Sequence, residues 1–124
     1  MICLDTNYLI LGLVPGSREA ERLLAWSEAG ERFSAPAVVW YEFLCGPVDA
    51  DQIAAMRALL DAIIPLDESL AEEAARVFNT TRRQRQLRVD AMIAATAIRQ
   101  GIPLATNNRR DFEAFRPHGL RLTA

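Results

Sequence analysis

Short apolar runs alternate along this chain with longer stretches of helical periodicity. Ile2-Cys3-Leu4, Phe33-Ser34-Ala35, Ile63-Ile64-Pro65-Leu66 and Pro103-Leu104-Ala105 are too brief for helices and read as strands or extended segments. Apolar runs of this length suit the buried strands of a parallel sheet. Between them, Thr6 or Asn7 caps a short helix predicted to reach Leu13, with Pro15-Gly16 as its end. Ser17 caps a helix to about Ala29, its inner face drawn from Ala20, Leu23, Leu24 and Ser27, with Gly30 as the stop. Pro36 opens a helix to about Cys45, closed by Gly46-Pro47. Residues 49–62 form an amphipathic stretch with Ile53, Met56, Leu59 and Leu60 inward. Asp67 or Ser69 caps a helix from Leu70 into a cluster of arginines. Residues 88–100 predict a strong helix stopped by Gly101; a short helix over 109–115 and a last strand over 120–122 follow.

Strands alternating with helices predict an α/β fold with a parallel sheet. There is no internal repeat, low-complexity tract or long linker, and 124 residues suit a single domain over 1–124. In such sheets, sites form beyond the carboxyl ends of the strands. Asp5 and Thr106-Asn107-Asn108 both follow predicted strands, which directs them to one sheet edge.

Composition narrows the chemistry. All 14 basic residues are Arg, which excludes a Schiff-base or P-loop lysine. The single histidine, His118, stands beside Pro117 near the C-terminus and gives little support to serine or cysteine chemistry. Carboxylates remain, and carboxylate chemistry on phosphates usually runs through a divalent metal. Cys3 and Cys45 lack metal-ligand spacing and are expected to be buried thiols in a reducing cytoplasm. No apolar stretch is long enough to span a bilayer, and the N-terminal run, interrupted by Asp5, does not read as a signal peptide. The net charge of −2 gives no global basic field, yet Arg82, Arg83, Arg85 and Arg88 crowd together just before Asp90.

Four acids are candidates for a site: Asp5, Glu42, Asp90 and Asp111. Each has an ordinary explanation. Glu42 can face solvent from an otherwise apolar helix, and Asp90 and Asp111 can be first-turn acids favoured by helix dipoles. Together, acids from separate elements at one edge suit Mg²⁺ or Mn²⁺, which take hard oxygen ligands and water. The arginines would contact phosphate by bidentate guanidinium geometry, or simply form a solvated helix face.

Asp5-Thr6-Asn7 after a strand, Glu42, Asp90 opening Asp-Ala-Met-Ile-Ala-Ala-Thr-Ala, and Thr106-Asn107-Asn108-Arg109-Arg110-Asp111 resemble, in that order, the PIN-domain nucleases. In length and motif order the chain is most similar to the VapC toxins of type II toxin–antitoxin pairs. The resemblance covers nearly the whole chain and implies a three-layer α/β/α domain with a short central parallel sheet. It implies endoribonuclease activity with Mg²⁺ or Mn²⁺, with Asp5 and Asp90 as metal ligands and Glu42 as the third acid. Many relatives carry a fourth acid where this chain has Asn108, so Asp111 is expected to take over part of that charge. Thr6 and Thr106, with Asn7 and Asn108, are implied supporting residues. A homodimer and a VapB-like antitoxin over the groove are the implied partners, with RNA as substrate. Leu9, Leu11, Leu13, Trp26, Trp40 and Phe43 divide between core and interface.

Two other readings compete. A catalytically degenerate PIN-like module would bind RNA or a protein without cutting, and Asn108 is the residue that favours it. A haloacid-dehalogenase-like phosphatase also begins with an Asp after a strand. It wants an acid where Asn7 stands and a downstream lysine that this chain lacks.

Overall fold

A computed structural model describes residues 1–124. Four strands, β1 (Ile2–Leu4), β2 (Phe33–Pro36), β3 (Ala62–Ile64) and β4 (Leu104–Ala105), form one sheet in the order β3-β2-β1-β4. Every pairing is parallel. The helices are α1 (Thr6–Leu11), α2 (Arg18–Glu28), α3 (Ala37–Leu44), α4 (Ala50–Leu59), α5 (Glu68–Asn79), α6 (Arg88–Gln100) and α7 (Arg109–Phe112). They flank the sheet, as the α/β/α expectation requires. β1 runs between β2 and β4, so the chain steps first to one side of β1 and later to the other. That reversal makes the β1–β4 boundary a topological switch point, the place where open parallel sheets form crevices.

Burial explains why these short runs become strands. Ile2, Cys3, Leu4, Phe33, Ala35, Leu104 and Ala105 are all buried, covered by helices on the faces. α6 packs on β2, α3 and α5. Its Ala91, Ala94, Ala95 and Ala97 are buried, and their small size allows the close approach. Gly101, at φ +66°, ends α6 in the left-handed conformation glycine tolerates. Gly12 is required for a different reason. A Cβ there would lie 2.3 Å from the Tyr8 carbonyl oxygen and 2.5 Å from Leu23 Cδ1, where α1 meets α2.

Several expectations need correction. Asp5, rather than Thr6 or Asn7, caps α1, and that helix ends at Leu11 because Gly12 closes it. Leu24 is exposed and Glu19 is buried on α2, so its inner face is rotated from the one expected. α4 stops at Leu59, and Ala62 belongs to β3, because hydrogen bonding to β2 outweighs the continued helical pattern. The stretch over 109–115 divides into α7 and a 3₁₀ segment, Glu113–His118, and the last strand reduces to a single bridge between Leu104 and Leu122. Cys45 is exposed, whereas Cys3 is buried as expected. Burial, with the nearby Asp5 charge, pushes the Cys3 thiol up to about 12. Of the large apolar side chains, Leu9 and Phe43 are core, and Leu13, Trp26 and Trp40 pack against it. No helix is long and apolar enough to cross a membrane.

Candidate active site at the sheet switch point

β1 delivers Asp5 to the carboxyl edge. The Asp5 backbone N–H still donates to the Ala105 carbonyl of β4, at 3.0 Å, so strand pairing fixes the position of this acid. The side chain is buried and fully engaged: Oδ1 accepts from the Thr6 N–H at 2.8 Å, and Oδ2 accepts from the Thr106 hydroxyl at 2.6 Å. Burial raises the Asp5 carboxyl above the usual range; the hydrogen bonds from Thr106 and Thr6 oppose that rise, and the Glu42 charge adds to it.

The other acids arrive from three helices. Glu42 projects from α3, is exposed, and accepts from the Thr6 hydroxyl at 2.8 Å. One residue, Thr6, therefore holds two acids, Asp5 through its N–H and Glu42 through its Oγ1. Asp90 lies in the first turn of α6 and is half-buried. Burial, then the charges of Asp5, Asp111 and Glu42, push its carboxyl up to about 6. Asp111, on α7, accepts from the Asn108 side-chain amide at 3.0 Å. Asn108 also donates its backbone N–H to Thr106 Oγ1 at 2.9 Å. Asp90 thus lies within reach of the charges of the other three acids, and none of the four takes part in an ion pair of this chain.

This donor set fits a hydrated divalent cation. It supplies hard carboxylate oxygens, carries unbalanced negative charge, and holds one acid buried without a cationic partner, which is costly unless charge is supplied. No three of these side chains close into a ligating group by themselves. Mg²⁺ in particular binds through one or two carboxylates and keeps most of its water.

Sequence reasoning missed two features. Glu19, buried on α2, accepts from the Asn107 side chain at 3.1 Å and so anchors the loop that carries Thr106 and Asn108. Its only signal was an acid on the apolar face of a helix. Arg110 shares a pocket of about 380 Å³ with Asp111, Gln84 and Gln86, next to the acids. The arginines singled out earlier sit elsewhere: Arg83, Arg85 and Arg88 line a separate pocket with Phe78. Arg88 and Asp90 are two residues apart on α6, which separates them by about 200° around the helix. Asn7 is exposed and lies outside the hydrogen-bonded group.

An all-parallel α/β sheet with carboxylates gathered at its switch point defines the class of this protein. Residues 2–116 match the PIN domain, and the chain belongs to the PIN-domain family, whose members are generally nucleases. Among solved structures it is similar to a toxin–antitoxin complex from Klebsiella pneumoniae, at 28% identity over 90% of each chain and a TM-score of 0.70. FitAcB from Neisseria gonorrhoeae shares its fold at 23% identity, with 100% of this chain and 97% of that one covered and a TM-score of 0.74. VapBC2 from Rickettsia felis, bound to a DNA fragment from its promoter, does so at 20% identity, 99% and 98% coverage and a TM-score of 0.76. No curated protein matches the chain.

Proposed function

We propose that this protein is a divalent-metal-dependent endoribonuclease, the toxin of a toxin–antitoxin pair. The observation that carries the reading is that Asp90 lies within reach of the charges of Asp5, Glu42 and Asp111 at the β1–β4 switch point, while none of the four acids is paired with an arginine. Asp5 and Asp90 would hold Mg²⁺ or Mn²⁺, and Glu42 would contact the ion directly or through water. The ion supplies Lewis-acid polarisation of a phosphoryl oxygen and a lower pKa for the attacking water. The chain's own residues do the positioning. Thr106 and Thr6 fix the two Asp5 oxygens, the Thr6 hydroxyl holds Glu42, and Asn108 holds Asp111. Asp111 then stands in for the acid that Asn108 replaces.

Similarity to toxin–antitoxin complexes supports a VapB-like antitoxin as partner. Ile10, Tyr41 and Leu44 are large, apolar and exposed, which supports a homodimer or antitoxin contact over α1 and α3. The free thiols Cys3 and Cys45 suit the cytoplasm. The test is RNA hydrolysis by antitoxin-free protein. Cleavage with Mn²⁺ that stops with EDTA, and is lost in Asp5→Asn and Asp90→Asn while both variants fold, supports the reading. Full activity in both variants contradicts it. Asn108 favours one second reading, a degenerate module that binds RNA or a protein without cutting. RNA binding with no cleavage under any divalent cation would establish it.

A further inference from the structure

We infer that the pocket formed by Phe78, Arg83, Arg85 and Arg88 holds a nucleotide of single-stranded RNA away from the scissile phosphate. The inference rests on the RNA-directed reading of the acid site and adds a second contact for the same substrate.

Four observations carry it. The pocket has a volume of about 420 Å³, with three guanidiniums and one aromatic ring in its lining and no carboxylate. It adjoins a second hollow that shares Phe78, Arg83 and Arg88 and adds Ala74 and Met92 as apolar floor. The arginines are also unspent. Arg22, Arg32, Arg76, Arg99, Arg109, Arg116 and Arg121 all use their guanidiniums on acceptors within the chain. Four of the seven arginines left over lie within residues 82–88. Finally, Arg82 and Arg83 take φ of 61° and 56°, the left-handed region where glycine or asparagine would fit without strain. A chain that keeps arginine at two such positions spends stability for the side chains it places there.

The combination suits a nucleotide. Guanidiniums bind phosphate oxygens in fork geometry, and a half-buried phenyl ring beside an apolar floor offers a face for an unpaired base. Paired RNA hides its base faces, so the pocket selects single strands. Because Arg88 points away from the side of α6 that carries Asp90, the nucleotide held here is not the one being cut. The strand passes around the N-terminal end of α6 between the two contacts. An acidic protein segment could pair with the arginines, but it would leave the ring and apolar floor without a specific role.

The test is binding of a fluorescent oligouridylate in EDTA, where no cleavage is needed for the readout. Arg83→Glu with Arg88→Glu is expected to weaken binding at least tenfold. It is also expected to flatten the salt dependence of log Kd by about 1.4, near 0.7 for each lost phosphate contact. Phe78→Leu is expected to weaken binding severalfold with the salt slope unchanged, which separates stacking from charge. Arg83→Gly relieves the left-handed backbone; it is expected to keep or raise the melting temperature while weakening binding, so lost binding cannot be put down to lost folding. Arg18→Glu with Arg57→Glu, both exposed and outside the pocket, controls for net charge. Wild-type affinity in the Arg83/Arg88 double variant overturns the inference, even if the protein proves to cleave RNA. Loss of oligoglutamate binding with oligouridylate binding intact also overturns it and assigns the pocket to an acidic protein segment.

Discussion

Thr106, just beyond β4, donates its hydroxyl to Asp5, just beyond β1, at 2.6 Å, in a buried contact between residues 101 positions apart in the chain. The same Thr106 oxygen accepts from the Asn108 backbone N–H. One hydroxyl therefore ties the buried acid to the loop that carries the rest of the β4 side of the site.

Thr106→Val keeps the side-chain shape and deletes that hydroxyl. A buried hydrogen bond to a charged group is worth about 1.5–3 kcal/mol, and the loss leaves Asp5 less able to carry its charge. We expect a lower melting temperature at neutral pH and a weaker response to Mn²⁺. Thermal melts with and without the ion provide the check; an unchanged pair of melts would show that the contact orients nothing.

Asp90 predicts a pH dependence with a definite sign. Its carboxyl is raised from 3.8 to about 6, so between those values the folded chain holds a proton that the unfolded chain has released. This group's contribution to stability is therefore greatest below pH 3.8 and is lost as pH rises through 6. Asp90→Asn removes the penalty. Solvent screening of the half-buried group limits the expected gain to about 1 kcal/mol at pH 7.5 in metal-free protein, with almost none at pH 3.5. Parallel denaturant titrations at the two pH values measure the difference. The proton also competes with a cation for the same oxygens, so Mn²⁺ affinity is expected to rise with pH through about 6.

Asn108→Asp restores an acid at the place where many relatives carry one, and replaces the hydrogen bond to Asp111 with a like-charge contact. Metal-free protein should lose about 1 kcal/mol. Added Mn²⁺ should return more stability to the variant than to the wild type, because the added carboxylate gives the ion another hard ligand. Equal gains on metal addition would show that this position does not face the ion.

Much of this was legible along the chain, for reasons that differ by residue. The strands expected at Ile2–Leu4 and Phe33–Ala35 and the helix Arg88–Gln100 are set by local apolar pattern and end residues; the structure places them there, with the second strand extended by Pro36, which the pattern assigns to the following helix. The order of Asp5, Glu42 and Asp90 followed from the family's motifs, and the switch-point topology gathers these acids. What stayed hidden depends on contacts distant in sequence. Thr6 was expected as a cap and a supporting residue, yet Asp5 does the capping while the Thr6 hydroxyl serves Glu42, because α3 lies against α1. Glu19 is buried, and the Asn107 amide that satisfies it comes from 88 residues away. Arg88, two residues before Asp90 in sequence, faces another way because that spacing turns α6 by about 200°.

The central claim is that the acids at the β1–β4 switch point hold a divalent cation. Calorimetric titration of Mn²⁺ into wild type, Asp5→Asn and Asp90→Asn at pH 7.5 tests it most directly. We predict saturable binding to the wild type and at least tenfold weaker binding to each folded variant. Equal Mn²⁺ affinity in all three proteins would contradict the account.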